Sequence, residues 1–185
     1  MKITQMQIPG VLLVEPRIFR DSRGHFLETW NSERYYEKGF AETFVQDNVS
    51  FSAFNVIRGL HYQLGRPQGK FVMVLQGQIY DVAVDIRRGS PHFGKWTAAR
   101  LSSEDCRQLF IPAGFAHGFC VISETAVVHY KCTDFYCPAE ERGIRWDDPA
   151  LSIAWPVADP IVSEKDRIYP TLSEIAAEDL PVFSE

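Results

Sequence analysis

The sequence predicts an all-β protein, an antiparallel sandwich or barrel with a few short helices at its periphery. Three observations predict it. Short apolar runs separated by turn residues recur between residues 71 and 132, the spacing of strands in sandwiches and barrels. Tyr80, Val82, Val84 and Ile86 alternate with Asp81, Ala83 and Asp85, the period of two that marks a half-buried strand. Helical signals are few.

The elements follow in order. Asn31-Ser32-Glu33-Arg34-Tyr35-Tyr36-Glu37-Lys38-Gly39 starts with capping residues and ends on glycine, which predicts a short helix. Phe71–Leu75 is an apolar strand, and Gln76-Gly77-Gln78 turns the chain into the alternating strand that Arg88-Gly89-Ser90-Pro91 ends. Further strands are expected at Thr97–Leu101, Gln108–Ile111, Gly118–Ile122 and Ala126–Cys132. Residues beyond about Pro138 are loop-rich and are expected to wrap the barrel. Within them, Thr171-Leu172-Ser173-Glu174 has the capping-box pattern and predicts a second helix.

Composition bounds the function. A chain of 185 residues suits one domain, 1–185, with N-terminal strands and a C-terminal helical segment packed around it. With 45% hydrophobic residues it has the material for a core. The 19 Lys+Arg against 24 Asp+Glu give a net charge of −5, a poor match for nucleic acid, whose binding needs basic residues to displace condensed counterions. No apolar run approaches the roughly 20 residues that cross a bilayer, and the Met-Lys-Ile-Thr-Gln-Met start lacks an apolar signal core. The expected location is cytoplasmic. Cys106, Cys120, Cys132 and Cys137 show no C-x-x-C pairing; reduced thiols are expected, with Cys120 and Cys132 as small core residues.

Two segments carry the chemistry. One is Arg58-Gly59-Leu60-His61-Tyr62-Gln63 followed by Lys70; the other is Ile111-Pro112-Ala113-Gly114-Phe115-Ala116-His117-Gly118-Phe119. The P-x-G-x-x-H spacing of Pro112, Gly114 and His117 resembles the second signature of the cupin jelly roll, and the first segment lies where that fold's first signature belongs. A metal-binding cupin carries His-x-His and a following Glu there. Here Tyr62 and Gln63 follow His61, and the Lys70 ammonium would repel a cation. The expectation is a jelly roll without a metal. A lone His61 would read as a satisfied core histidine. That reading weakens when Arg58, His61, Lys70 and His117 line one cavity, because burying so many polar groups without a ligand is costly.

These residues resemble the dTDP-4-dehydrorhamnose 3,5-epimerase family. The likeness runs through RGLHYQ, YDVAVDIRRGSPHFGKW, IPAGFAHGF, Tyr130-Lys131 with Tyr136, GIRWDDPALSIAWP and Ser163-Glu164-Lys165-Asp166. Phe19-Arg20-Asp21-Ser22-Arg23-Gly24 and Phe44-Val45-Gln46-Asp47-Asn48 extend it, in collinear order, from about Val14 to Ile168. The stretch between His61 and Lys70 is about one residue shorter than is usual in the family.

The resemblance implies inversion of C3 and C5 in a dTDP-4-keto-6-deoxy sugar, with no redox cofactor and no metal. Both carbons flank the C4 ketone, so the chemistry needs a base, an acid on the opposite face, and a donor for the enolate oxygen. By resemblance His61 is the base and Asp166 its partner carboxylate. Ser163 and Asp166 also have capping-box spacing, so Asp166 has a helix-capping alternative. Tyr130 matches the acid, on a face shared with Val128 and Cys132 by alternation; taken alone it would read as an aromatic core residue. Lys70 is the candidate for the C4 oxygen, with His117 and Arg58 as further donors. Arg23, Arg58 and Lys165 match phosphate- or substrate-contacting positions. Glu28, Gln46, Asp47, Asn48 and Glu141 match neighbouring polar contacts, and Tyr136 matches the aromatic that stacks on thymine. The plain alternative for Arg23 and Glu28 is a solvated loop pair. The resemblance also implies a homodimer whose N-terminal strands, here Ile8–Val14 and the Phe40–Phe54 region, extend the partner's sheet, so that some nucleotide contacts serve the neighbouring subunit. Rival readings are a C3-only epimerase or an epimerase of a related nucleotide 4-keto-6-deoxy sugar, a metal-dependent cupin enzyme, and a non-catalytic sugar-binding cupin.

Overall fold

The computed structural model describes residues 1–184. Its strands are β1 (Lys2–Gln5), β2 (Leu12–Glu15), β3 (Ile18–Asp21), β4 (Gly24–Leu27), β5 (Gln46–Ala53), β6 (Val56–Gln63) and β7 (Lys70–Gln76). They continue with β8 (Gln78–Asp85), β9 (Trp96–Ser102), β10 (Gln108–Ile111), β11 (Phe115–Val121), β12 (Thr125–Cys132), β13 (Glu141–Gly143) and β14 (Ile161–Val162). Two short helices, α1 (Ser32–Tyr36) and α2 (Glu164–Ile168), sit outside the sheets.

The strands build two facing sheets. The first has the order β1-β2-β10-β7-β12-β5; the second has β13-β6-β11-β8-β9, with β14 pairing β6. All pairings are antiparallel except that of β14 with β6. β3 and β4 form a separate hairpin. This is the expected all-β jelly roll. The core lies between the sheets, where Val72, Val74, Leu109, Ile111 and Val128 of the first meet Ile79, Ala83, Leu101, Phe115 and Val121 of the second. Gly77 makes the β7–β8 turn because its φ is +81° and a Cβ there would lie 2.0 Å from the Thr125 carbonyl oxygen.

The outer face of the second sheet and one part of the first are covered too. Leu60, Tyr62, Val82, Val84 and Ala116 of the second sheet are buried under Ile144, Leu151, Leu172 and Leu180, so the C-terminal chain does wrap the barrel. At one end of the first sheet, Tyr35, Phe40, Trp30 and Phe44 pack on Val14, Phe71 and Phe110. α1 forms as expected, with Asn31 as N-cap accepting from the Arg34 backbone N–H.

Two expectations change. β8 is buried on both faces, not half-buried: its apolar row meets the C-terminal wrap, while Asp81 and Asp85 are each fully buried and partnered. The Thr171–Glu174 capping box is present but yields only one 3-10 turn, Leu172–Glu174. There the Leu172 N–H donates to Asp148 and its side chain joins the wrapped core, which fixes the chain's course after one turn.

Candidate active site

One mouth of the sandwich is polar. Strand register shows why. On the inner face of the first sheet, Cys132 lies opposite both Gln46 and Lys70, and Tyr130 lies opposite Asn48 and Val72. The next inward row holds Val128 with Ser50 and Val74. The face therefore grades from polar at the mouth to apolar at depth. A cavity of about 660 Å³ opens here, lined by Arg58, His61, Lys70, His117, Tyr130 and Asp166, with Lys165 at its border. It adjoins a second of about 330 Å³, lined by Gln46, Asn48, Tyr136 and Glu141 and sharing His61, Lys70 and Tyr130.

The second sheet and α2 form the opposite wall. His61 on β6 directs Nε2 to Asp166 Oδ1 at 2.7 Å, and the Gly59 N–H donates to Asp166 Oδ2 at 3.3 Å. Burial alone would raise the Asp166 carboxyl; the hydrogen bonds from His61 and Gly59 outweigh it and hold the group below its ordinary range. Of the two readings of Asp166, the geometry shows its carboxylate on His61 and Gly59 and not on the Ser163 N–H. Ser163 Oγ caps α2 by accepting from the Asp166 backbone N–H at 3.1 Å, which leaves the carboxylate for His61. Gly59 is required beside it: its φ is +128°, and a Cβ would sit 2.5 Å from Gly118 Cα. This close approach of β6 and β11 lies at the register irregularity between His117 and Phe119.

On the first wall, the Tyr130 hydroxyl and the Lys70 ammonium have no hydrogen-bond or ionic partner among the described residues. Burial pushes the Tyr130 phenol up and the Lys70 ammonium down. Arg58 is held by Ser52 Oγ and the Phe51 carbonyl. At the second cavity, Glu141 Oε2 accepts from the Tyr136 hydroxyl at 2.9 Å and pairs with Lys165 Nζ at 2.7 Å. The loop after His61 is pinned: Gln63 and Gln68 donate to the Phe135 and Asp134 carbonyls. Among the described residues no group of three or more His, Cys, Asp or Glu is placed to hold a metal ion.

The geometry sits within a chain whose relatives are informative. Residues 5–174 match the family model described as dTDP-4-dehydrorhamnose 3,5-epimerase. The chain belongs to that family. The dTDP-4-dehydrorhamnose 3,5-epimerase of Pseudomonas aeruginosa is 56% identical over 169 residues, 90% of this chain and 93% of that one. A crystal structure of the dTDP-6-deoxy-D-glucose-3,5-epimerase from Legionella pneumophila, in complex with dTDP-4-keto-L-rhamnose, is 48% identical with a TM-score of 0.96 and covers 100% of this chain and 99% of that one. A 3'-monoepimerase from Streptomyces bikiniensis, in complex with dTDP-quinovose, is more distant: 33% identical, TM-score 0.89, covering 96% and 92%.

Three residues expected at the site on the epimerase resemblance lie outside this chain's cavity. Asp47 alternates to the outer face of β5 and pairs there with Lys131 at 2.7 Å. Arg23 stands at the tip of the β3–β4 hairpin, paired with Asp21. Glu28 pairs with Arg34, not with Arg23. Sequence reasoning also missed two groups. Asp81, fully buried, holds His117 Nε2 at 2.9 Å; an Asp inside an apolar strand was the available signal. Ser50 lines the cavity with its hydroxyl buried and unpartnered, and the period-two row of Gln46, Asn48 and Ser50 pointed to it.

Proposed function

We propose that this epimerase inverts C3 and C5 of dTDP-4-dehydro-6-deoxy-D-glucose to give dTDP-4-dehydro-L-rhamnose, with His61 as base and Tyr130 as acid. One observation carries the reading. A His–Asp pair and a protonated phenol face one cavity from opposite walls of the sandwich, with an ammonium beside them that is unpaired among the described residues. Inversion at a carbon next to a ketone needs that two-sided arrangement. His61 removes the C–H proton, and Asp166 stabilises the imidazolium that forms. The electron pair moves into the C4 carbonyl, and Lys70 donates to the resulting enolate oxygen, an effect worth about 3 kcal/mol for a well-placed donor. Tyr130, whose burial keeps its proton on at neutral pH, delivers a proton to the opposite face. His61 then loses its proton and Tyr130 regains one by exchange with solvent, and the second carbon follows.

The nucleotide belongs at the neighbouring cavity. Arg58 and Lys165, which line the first cavity, supply positive charge for the diphosphate; Gln46, Asn48 and Glu141 supply polar contacts in the second, and Tyr136 offers a half-exposed ring for stacking on the base, a contact of roughly 1–3 kcal/mol. His117, anchored by Asp81, borders the sugar. Arg23 and Glu28, remote from this chain's cavity, serve a second copy's cavity in a homodimer. Exposed Val49, Phe51 and Leu75 on the outer face of the first sheet, and Phe19 and Phe26 on the Arg23 hairpin, support that arrangement. We place its work in the cytoplasm, in keeping with four free cysteines.

The roles are tested by substitution. His61→Ala and Tyr130→Phe should each lower kcat by at least about 10²-fold while dTDP still binds in a calorimetric titration. Unchanged kcat in both variants would overturn the assignment.

A further inference from the structure

Tyr169 has no part in the reaction as derived, yet it touches the base. It follows α2 three residues after Asp166, as the helix's C-cap. Its ring meets the His61 imidazole edge-on, with centroids 5.9 Å apart and planes at 69°. The ring's seat is built by a glycine. Gly143 on β13 pairs in register with His61, and a Cβ at Gly143 would lie 2.4 to 2.6 Å from three atoms of the Tyr169 ring. Any other residue at 143 would push the ring away.

The ring also stands between two spaces. Tyr169 lines a side cavity of about 300 Å³ with Tyr62, Glu141, Gly143 and Asp179, and it does not line the substrate cavity. His61 lines the substrate cavity and not the side cavity. Tyr169 therefore stands, with Tyr62 and Glu141, between the imidazole and the side cavity.

We propose that Tyr169 is a positioning residue for His61: its ring, seated on Gly143, holds the imidazole in the orientation that keeps Nε2 on Asp166 and shields that hydrogen bond from water. The proposal rests on the reading of His61 as the base. A carboxylate at Nε2 accepts from Nε2–H, which leaves Nδ1 with the lone pair that takes the proton. Without the ring, water reaches the pair from the side cavity and competes for Nε2–H, and the imidazole gains freedom to turn. Small misplacements of a catalytic group are costly, up to about 10²-fold for 1 Å.

The test pairs kinetics with a spectroscopic readout. Tyr169→Ala should lower kcat about tenfold or more with KM nearly unchanged, and 1H–15N NMR of the His61 ring should change from a single Nε2–H tautomer to a mixture. Tyr169→Phe should restore both, because the ring and not the hydroxyl does the positioning. Gly143→Ala should reproduce the Tyr169→Ala effects by displacing the ring, and the double variant should be no worse than Tyr169→Ala alone. Wild-type kcat and a single tautomer in Tyr169→Ala would overturn the proposal, as would a Tyr169→Phe variant as impaired as Tyr169→Ala. If Tyr169→Ala fails to fold, Gly143→Ala with wild-type kcat and tautomer overturns it instead. Retained turnover in His61→Asn would count against His61 as the base; the tautomer measurement does not depend on turnover and so separates the two failures.

Discussion

The Lys70 ammonium forms no ion pair among the described residues, and burial lowers its pKa from 10.5 against the weaker opposing pull of Glu141 and Asp81. The sign follows directly. A lysine whose folded pKa is depressed costs stability in full below that folded value, and the cost fades as pH rises towards the ordinary 10.5. The buried ammonium is therefore a cost to folding that an anionic substrate would offset. Lys70→Met should abolish most turnover and yet raise the melting temperature of the free protein at pH 7, by roughly 2–4 °C per kcal/mol relieved. The gain should shrink above pH 10. A lower melting temperature at pH 7 would contradict this reading of Lys70. At this scale His61, Lys70, Tyr130 and His117 were legible because their motifs are specific and collinear. Asp81 was not, because an Asp alternating with apolar residues looks the same in sequence whether it faces water or a buried histidine.

α2 is five residues long and exists to carry one of them. Isolated, so short a helix would not persist; Ser163 caps its first turn, and Asp166 ties it to β6 through His61 and Gly59. Ser163→Ala should cost about 1 kcal/mol of stability, read as a lower melting temperature, and should also reduce kcat because the Asp166 backbone loses its anchor. Loss of stability with kcat untouched would show that the cap does not position the carboxylate. Strands were the most readable elements. Gln108–Ile111 matches β10 end to end, and the alternation of residues 80–86 located β8. The second helix failed because a capping box specifies how a helix starts, while its length depends on tertiary contacts: Asp148 and the wrapped core hold Leu172 after a single turn.

At the scale of the whole molecule, the sandwich gives each partner in proton transfer its own wall: β6, β11 and α2 carry His61, His117 and Asp166, and β7 and β12 carry Lys70 and Tyr130. In the proposed homodimer, Arg23 and Glu28 serve the cavity of the second copy. Replacing Val49 and Phe51 together by Asp should shift the protein to monomer in sedimentation equilibrium and weaken dTDP binding; a monomeric wild type would contradict the dimer. Which contacts cross between copies was not readable from one chain, since sequence spacing says nothing about which copy a hairpin tip meets. Whether one cavity inverts two carbons by proton transfer beside the C4 ketone is decided by turnover of dTDP-4-dehydro-6-deoxy-D-glucose in deuterated water. The product should carry one deuteron at C3 and one at C5. Deuterium at C3 alone, or none at either carbon, would contradict the two-carbon inversion.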